Sequence, residues 1–177
     1  MQNVDPLVPP VLVLGLGNIL LGDDGVGPAL LQEVRALYAG VPDVECIDGG
    51  TQGLALLGYL AGREAMIILD ALASGRNPGA VSVLEGAQVL GCGFTPATTA
   101  HEGNAGELLA AAQLLEQMPG RIFLIGIEPE RMRTELGLSE CVARKLPSAL
   151  VETCGVVEQV LAESKRKTDG GTPAEPA

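Results

Sequence analysis

Short, continuous apolar runs alternate along the chain with longer stretches in which apolar residues recur at three- and four-residue spacing. Val11 to Leu14 is an apolar run stopped by Gly15, the pattern of a strand buried on both faces of a parallel sheet. Pro28 to Tyr38 follows with Leu30, Leu31, Val34 and Leu37 at helical spacing; Pro28 is tolerated in the first turn and Gly40 lies past the end. Val44 to Ile47 reads as a short strand that delivers Asp48 to a Gly49-Gly50-Thr51 turn. Thr51 is placed to cap a helix carrying Leu54, Leu57 and Leu60 that ends near Gly62. Ala65 to Leu69 is a third buried strand, handing the chain to Asp70. After a turn cluster from Ser74 to Gly79, the alternation of Val81 and Val83 suits a strand nearer the sheet edge.

Residues Gly86 to Asn104 show no clean period and contain His101, the only histidine. Glu107 to Gln117 is helical by its Leu108, Leu109, Ala112, Leu115 spacing, and Ile122 to Ile127 is the last core strand. Ser139 and Glu140 open a final helix that Pro147 kinks or splits before it runs to about Ser164. Strands alternating with helices imply βαβ crossovers. The expected fold is an α/β domain over residues 1–164, with a largely parallel sheet of about five strands covered on both faces, and a polar, Gly- and Pro-rich disordered tail over 165–177.

Composition changes this picture by exclusion. At 47% hydrophobic and 19% charged residues, the chain is globular rather than disordered. Its longest apolar runs are far short of the roughly 20 residues of a membrane helix. The first ten residues lack a basic region followed by an apolar stretch, so a soluble, cytoplasmic protein is expected. A net charge of −11, no Trp and few other aromatic residues disfavour nucleic-acid binding. Cys46, Cys92, Cys141 and Cys154 form no CxxC pair and read as small buried hydrophobes.

In open α/β sheets, ligands bind outside the carboxyl ends of the strands, where this reading places Asp24, Asp48 and Asp70, with His101 on a long loop able to close over them. The first turn, Gly15-Leu16-Gly17 onward, is a poor dinucleotide fingerprint. Leu20 stands where the third glycine belongs, and Asp23 and Asp24 would repel a phosphate at the helix start. Asp48 does imitate a ribose-binding acid, which keeps nucleotide binding open as a rival. Taken singly, Asp23 and Asp24 read as helix caps, Asp70 as a turn residue and His101 as structural. Their common rim argues for more in the case of Asp24, Asp70 and His101. Two carboxylates and an imidazole form a hard-to-borderline ligand set with open coordination positions, suited to a metal that polarises a carbonyl or activates water. G-x-S-x-G and HExxH motifs are absent, so a hydrolase here is unconventional.

From Val11 to about Leu161 the chain resembles the hydrogenase maturation proteases, endopeptidases that process large-subunit precursors of nickel-iron hydrogenases. The match is carried by Leu14 to Gly27 (LGLGNILLGDDGVG), Asp48-Gly49-Gly50-Thr51, Asp70-Ala71 and His101. The resemblance implies a three-layer α/β/α sandwich and a catalytic, metal-binding set formed by Asp24, Asp70 and His101. Some members carry Glu at the position of Asp24. It also implies removal of a C-terminal peptide after nickel insertion, with nickel, brought by the substrate, as the recognition signal. Asp48, Gly49, Gly50 and Thr51 would line the substrate groove, and a monomer is favoured. Whether Asp24 and Asp70 only grip nickel, or one of them is also a general base, stays open at this point. The rival from another class is a non-catalytic nickel-binding chaperone of the same precursor.

Overall fold

The computed structural model describes residues 8–92 and 105–169. Its elements, in chain order, begin with strand β1 (Val11–Leu16), helix α1 (Val26–Leu37), strand β2 (Val44–Gly50), strand β3 (Ala65–Ala71) and strand β4 (Val81–Glu85). Helices α2 (Ala87–Gly91) and α3 (Ala105–Leu114), strand β5 (Arg121–Ile127), and helices α4 (Glu140–Ala143) and α5 (Leu146–Asp169) follow. Two 3-10 segments, Gly22–Gly25 and Gly53–Tyr59, follow the turns after β1 and β2.

The strands form one sheet in the order β2-β1-β3-β5-β4. All neighbours are parallel except β4, which runs antiparallel to β5 at the edge. The reason lies in the link before it. β3 ends at the rim, and residues 72–80 contain no helix to carry the chain back to the other end, so β4 must start at that same rim and run in reverse.

Side-chain alternation divides the interior in two. Val11, Val13, Ala65, Ile67, Leu69, Phe123 and Ile125 pack with Leu30, Leu31 and Val34 of α1 and Val156, Val157 and Val160 of α5. Leu12, Leu14, Met66, Ile68, Ile122 and Leu124 face the other way, onto Leu56 and Leu60, Val89 of α2, and Leu108, Leu109 and Ala112 of α3. Helical layers therefore cover both faces of the sheet, giving the three-layer sandwich. Each fully buried Leu or Ile contributes about 1.5–3 kcal/mol of transfer free energy.

Local departures from the expected elements have identifiable causes. β2 and β3 run on through Asp48 and Asp70 instead of stopping before them, because β1 and β5 respectively continue to offer pairing partners. After Thr51 the chain forms a 3-10 segment with no side-chain cap; this tighter winding buries Leu56 and Leu60 and leaves Leu54 exposed. A short helix, α2, occupies part of the stretch that had no period. α3 ends at Leu114, before a positive φ at Glu116, so Leu115 is exposed rather than part of the core. The final helix does split beside Pro147, into α4 and α5. α5 then continues to Asp169, so the first residues of the expected tail are helical. The four cysteines are free and partly exposed rather than buried.

Candidate active site at the carboxyl rim of the sheet

β1 is buried along its whole length and ends at Leu16, in the middle of the sheet's parallel half. The chain then turns sharply at Gly17, whose φ is +124°; a Cβ there would lie 1.9 Å from the carbonyl oxygen of Asp24. Only glycine lets the turn fold this tightly onto the 3-10 segment that carries Asp23 and Asp24. Gly27 is equally confined, since a Cβ would sit 2.1 Å from the Leu16 oxygen and 2.3 Å from the Leu69 oxygen. The start of α1 thus lies directly against the ends of β1 and β3.

Asp24 is buried, and its Oδ2 accepts the backbone N–H of Asn18 at 2.7 Å. Asp70 sits on the adjacent strand, paired with Gly126 of β5, and its Oδ1 accepts the N–H of Ala71 at 2.8 Å. Burial, and secondly the negative charge of Asp24, push Asp70 up to about 7, against the smaller opposing effect of the Ala71 hydrogen bond. The charge of Asp24 is therefore felt at Asp70, second to burial in raising its pKa. Such a carboxyl can take or give a proton, and in its ionised form can share a cation with Asp24.

Asp48 is placed differently. Residues paired in parallel strands point to the same face, and Asp48 pairs with Gly15, which pairs with Leu69 of the α1/α5 core. Asp70, one residue on from Leu69, points to the opposite face. Asp48 is exposed on the outer strand, and its Oδ1 accepts the Gly50 N–H at 3.1 Å, closing the local turn. Gly49 is buried, Gly50 has φ +46° and donates no bond to the carboxylate pair, and Thr51 is exposed. The Gly50 carbonyl accepts the Gly17 N–H at 3.0 Å, which joins this turn to the one carrying Asp24. His101 lies outside the described residues. Among the described residues, no three His, Cys, Asp or Glu side chains gather into a metal-binding group.

Asp23 does not cap a helix. The N-cap of α1 is Gly25, without a side-chain cap, and Asp23 is fully buried with its carboxylate turned toward the segment between β5 and α4. It accepts the N–H groups of Glu130, Arg131 and Ser139 and the hydroxyl of Ser139. Burial alone would raise this carboxyl, but these hydrogen bonds outweigh it and hold Asp23 below its ordinary 3.8. Glu128, just past β5, is a second buried clamp. Its carboxylate accepts Ser74 N–H, Ser74 Oγ–H and Gly75 N–H, pinning the loop that follows β3. Neither role was visible in the sequence, because the partners are 116 and 54 positions away in the chain. The adjacency of two acids at Asp23 and Asp24 was the one available signal.

The fold is a small α/β domain whose carboxyl rim carries Asp24 and Asp70, and the sequence holds no G-x-S-x-G elbow. Residues 28–156 match the family model described as hydrogenase maturation protease. The hydrogenase 2 maturation protease of Escherichia coli K12 is 35% identical over 167 residues, covering 93% of this chain and 96% of that one. The hydrogenase expression/formation protein HupD of Rhodobacter capsulatus is 33% identical over 163 residues, covering 92% and 76%. Among solved structures, the hydrogenase maturating endopeptidase HybD from E. coli has a TM-score of 0.72 at 29% identity, covering 84% of this chain and 92% of that one. The chain belongs to the hydrogenase maturation protease family. It is a peptidase of the three-layer α/β kind, as the resemblance implied.

Proposed function

We propose that this peptidase removes the C-terminal extension of a nickel-iron hydrogenase large-subunit precursor after nickel has been inserted. The observation that carries the reading is the raised pKa of Asp70 in the field of the buried Asp24 at the rim, where two carboxylates are costly unless a cation or proton is shared between them. Two carboxylates with His101 make a weak site for a free ion but can complete the coordination of a nickel already held by substrate cysteines. The enzyme would then read the metal as evidence of a finished precursor. Asp70, ionised when it shares the nickel with Asp24, would accept the proton of the attacking water and return it to the leaving amine. Asp48 to Thr51 would form the outer lip of the substrate groove, joined to the site through the Gly17–Gly50 hydrogen bond. We take the working form to be a cytoplasmic monomer.

The test is to incubate purified enzyme with a large-subunit precursor, with and without nickel, and follow the precursor's mass. Shortening only of the nickel-loaded form is expected. Asp24→Ala, Asp70→Ala and His101→Ala should each abolish it, with circular dichroism showing the fold retained. A nickel-loaded precursor that is never shortened would sink the proposal, and activity in the His101 variant would remove that residue from the site.

A further inference from the structure

The segment joining β5 to α4 crosses the rim beside Asp24, yet from Pro129 to Leu138 it places no residue in the buried core. Leu138 packs partly buried against the core at its far end, and hydrogen bonds hold the rest of the segment. Asp23 is the main anchor. Its Oδ1 accepts Ser139 N–H at 2.6 Å, and its Oδ2 accepts Ser139 Oγ–H at 2.8 Å, Glu130 N–H at 2.9 Å and Arg131 N–H at 3.0 Å. Main-chain bonds continue the seam: Gly22 N–H to the Glu135 oxygen at 2.8 Å, Asp23 N–H to the Arg131 oxygen at 3.1 Å, and Glu135 N–H to the Leu20 oxygen at 3.0 Å. The residue before Asp24 is thereby tied on both its main chain and its side chain to the same segment. Leu136, 77% exposed, follows Glu135 on this segment, while Leu20, whose carbonyl accepts the Glu135 N–H, and Ile19 are exposed on the first turn. Ile19 in turn lies against Gly25, the residue after Asp24.

We infer that Asp23 is a positioning residue of the peptidase: its carboxylate clamps the 130–139 segment to the first turn and so fixes Asp24. The inference rests on the proposed role of Asp24. A charged acceptor suits the task because it can receive several N–H and O–H bonds at once in a site closed to water. A neutral amide cannot, since its NH2 would face backbone donors.

Asp23→Asn tests this at nearly constant volume, and Ser139→Ala removes only the hydroxyl bond if the first variant does not fold. With nickel-loaded precursor, Asp23→Asn should raise KM as well as lower kcat, reducing kcat/KM by about 100-fold, as expected for misplacement of the order of 1 Å. Ser139→Ala should lower kcat/KM by about fivefold through KM, while Ser139→Thr, which keeps the hydroxyl, stays within about twofold of the parent. A loss of kcat in proportion to the folded fraction, with KM unchanged, overturns the inference. Trypsin on the free enzyme reads the clamp without substrate: cleavage after Arg131 or Arg133 should accelerate in Asp23→Asn and Ser139→Ala. An unchanged rate overturns the clamp. If the parent enzyme never shortens the precursor while trypsin reports the release, the proposed function fails and the clamp stands.

Discussion

Asp70 continues a strand whose preceding five residues are fully buried, and it meets a second carboxylate, Asp24, across the rim. Its folded-state pKa of about 7 lies above the ordinary 3.8, so the folded state holds this proton more tightly than the unfolded chain. The stability linked to that proton is complete below about 3.8 and is lost as pH rises through 7. Asp70→Asn, which keeps an acceptor for the Ala71 N–H, should therefore raise Tm relative to the parent at about pH 8, with the difference fading toward about pH 4. Thermal melts across that range check it; a variant less stable at every pH would contradict the assignment. At this scale the sequence was informative about identity and weak about environment. It marked Asp24 and Asp70 by their place after apolar runs and brought them to one site, but not that burial, ahead of the Asp24 charge, would raise the Asp70 pKa. It also grouped Asp48 with them, whereas strand register turns Asp48 to the other face.

The elements that shape the rim are held by buried carboxylates rather than by the apolar pattern. Glu128 at the end of β5 pins the loop after β3, and the bonds from Ser74, Gly75 and Arg76 outweigh burial to keep it below its ordinary 4.5. A depressed pKa contributes stability above 4.5 that is lost as pH falls through the folded-state value. Glu128→Gln should accordingly cost about 1–2 kcal/mol at neutral pH, with the deficit shrinking in acid, as read by urea denaturation. An equal deficit at every pH would show that shape rather than charge matters there. The strands and the long helices were legible because burial on two faces or one leaves a period in the sequence. The 3-10 segment after Thr51 was read as a regular helix because its leucines suit either winding. The short α2 was missed, since five residues carry too little period to register.

Across the whole molecule, a charge of −11 on a small domain opposes folding through self-repulsion that salt screens. Raising NaCl from about 10 to about 300 mM should increase Tm by about 2–4 °C, measurable by calorimetry; a fall would mean that local ion pairs such as Arg121 with Glu85 and Glu163 dominate instead. No helix among the described residues is long and apolar enough to cross a membrane. The sequence by itself determined the α/β class, the strand count and the family, because burial patterns and short motifs are local properties of a chain. Only the tertiary structure decided that β4 reverses at the edge, that burial raises the Asp70 pKa, and that Asp23 is a clamp and not a cap. Those depend on which segments meet in space, and the contacts joining Asp23 to Ser139 leave no trace in the residues between them.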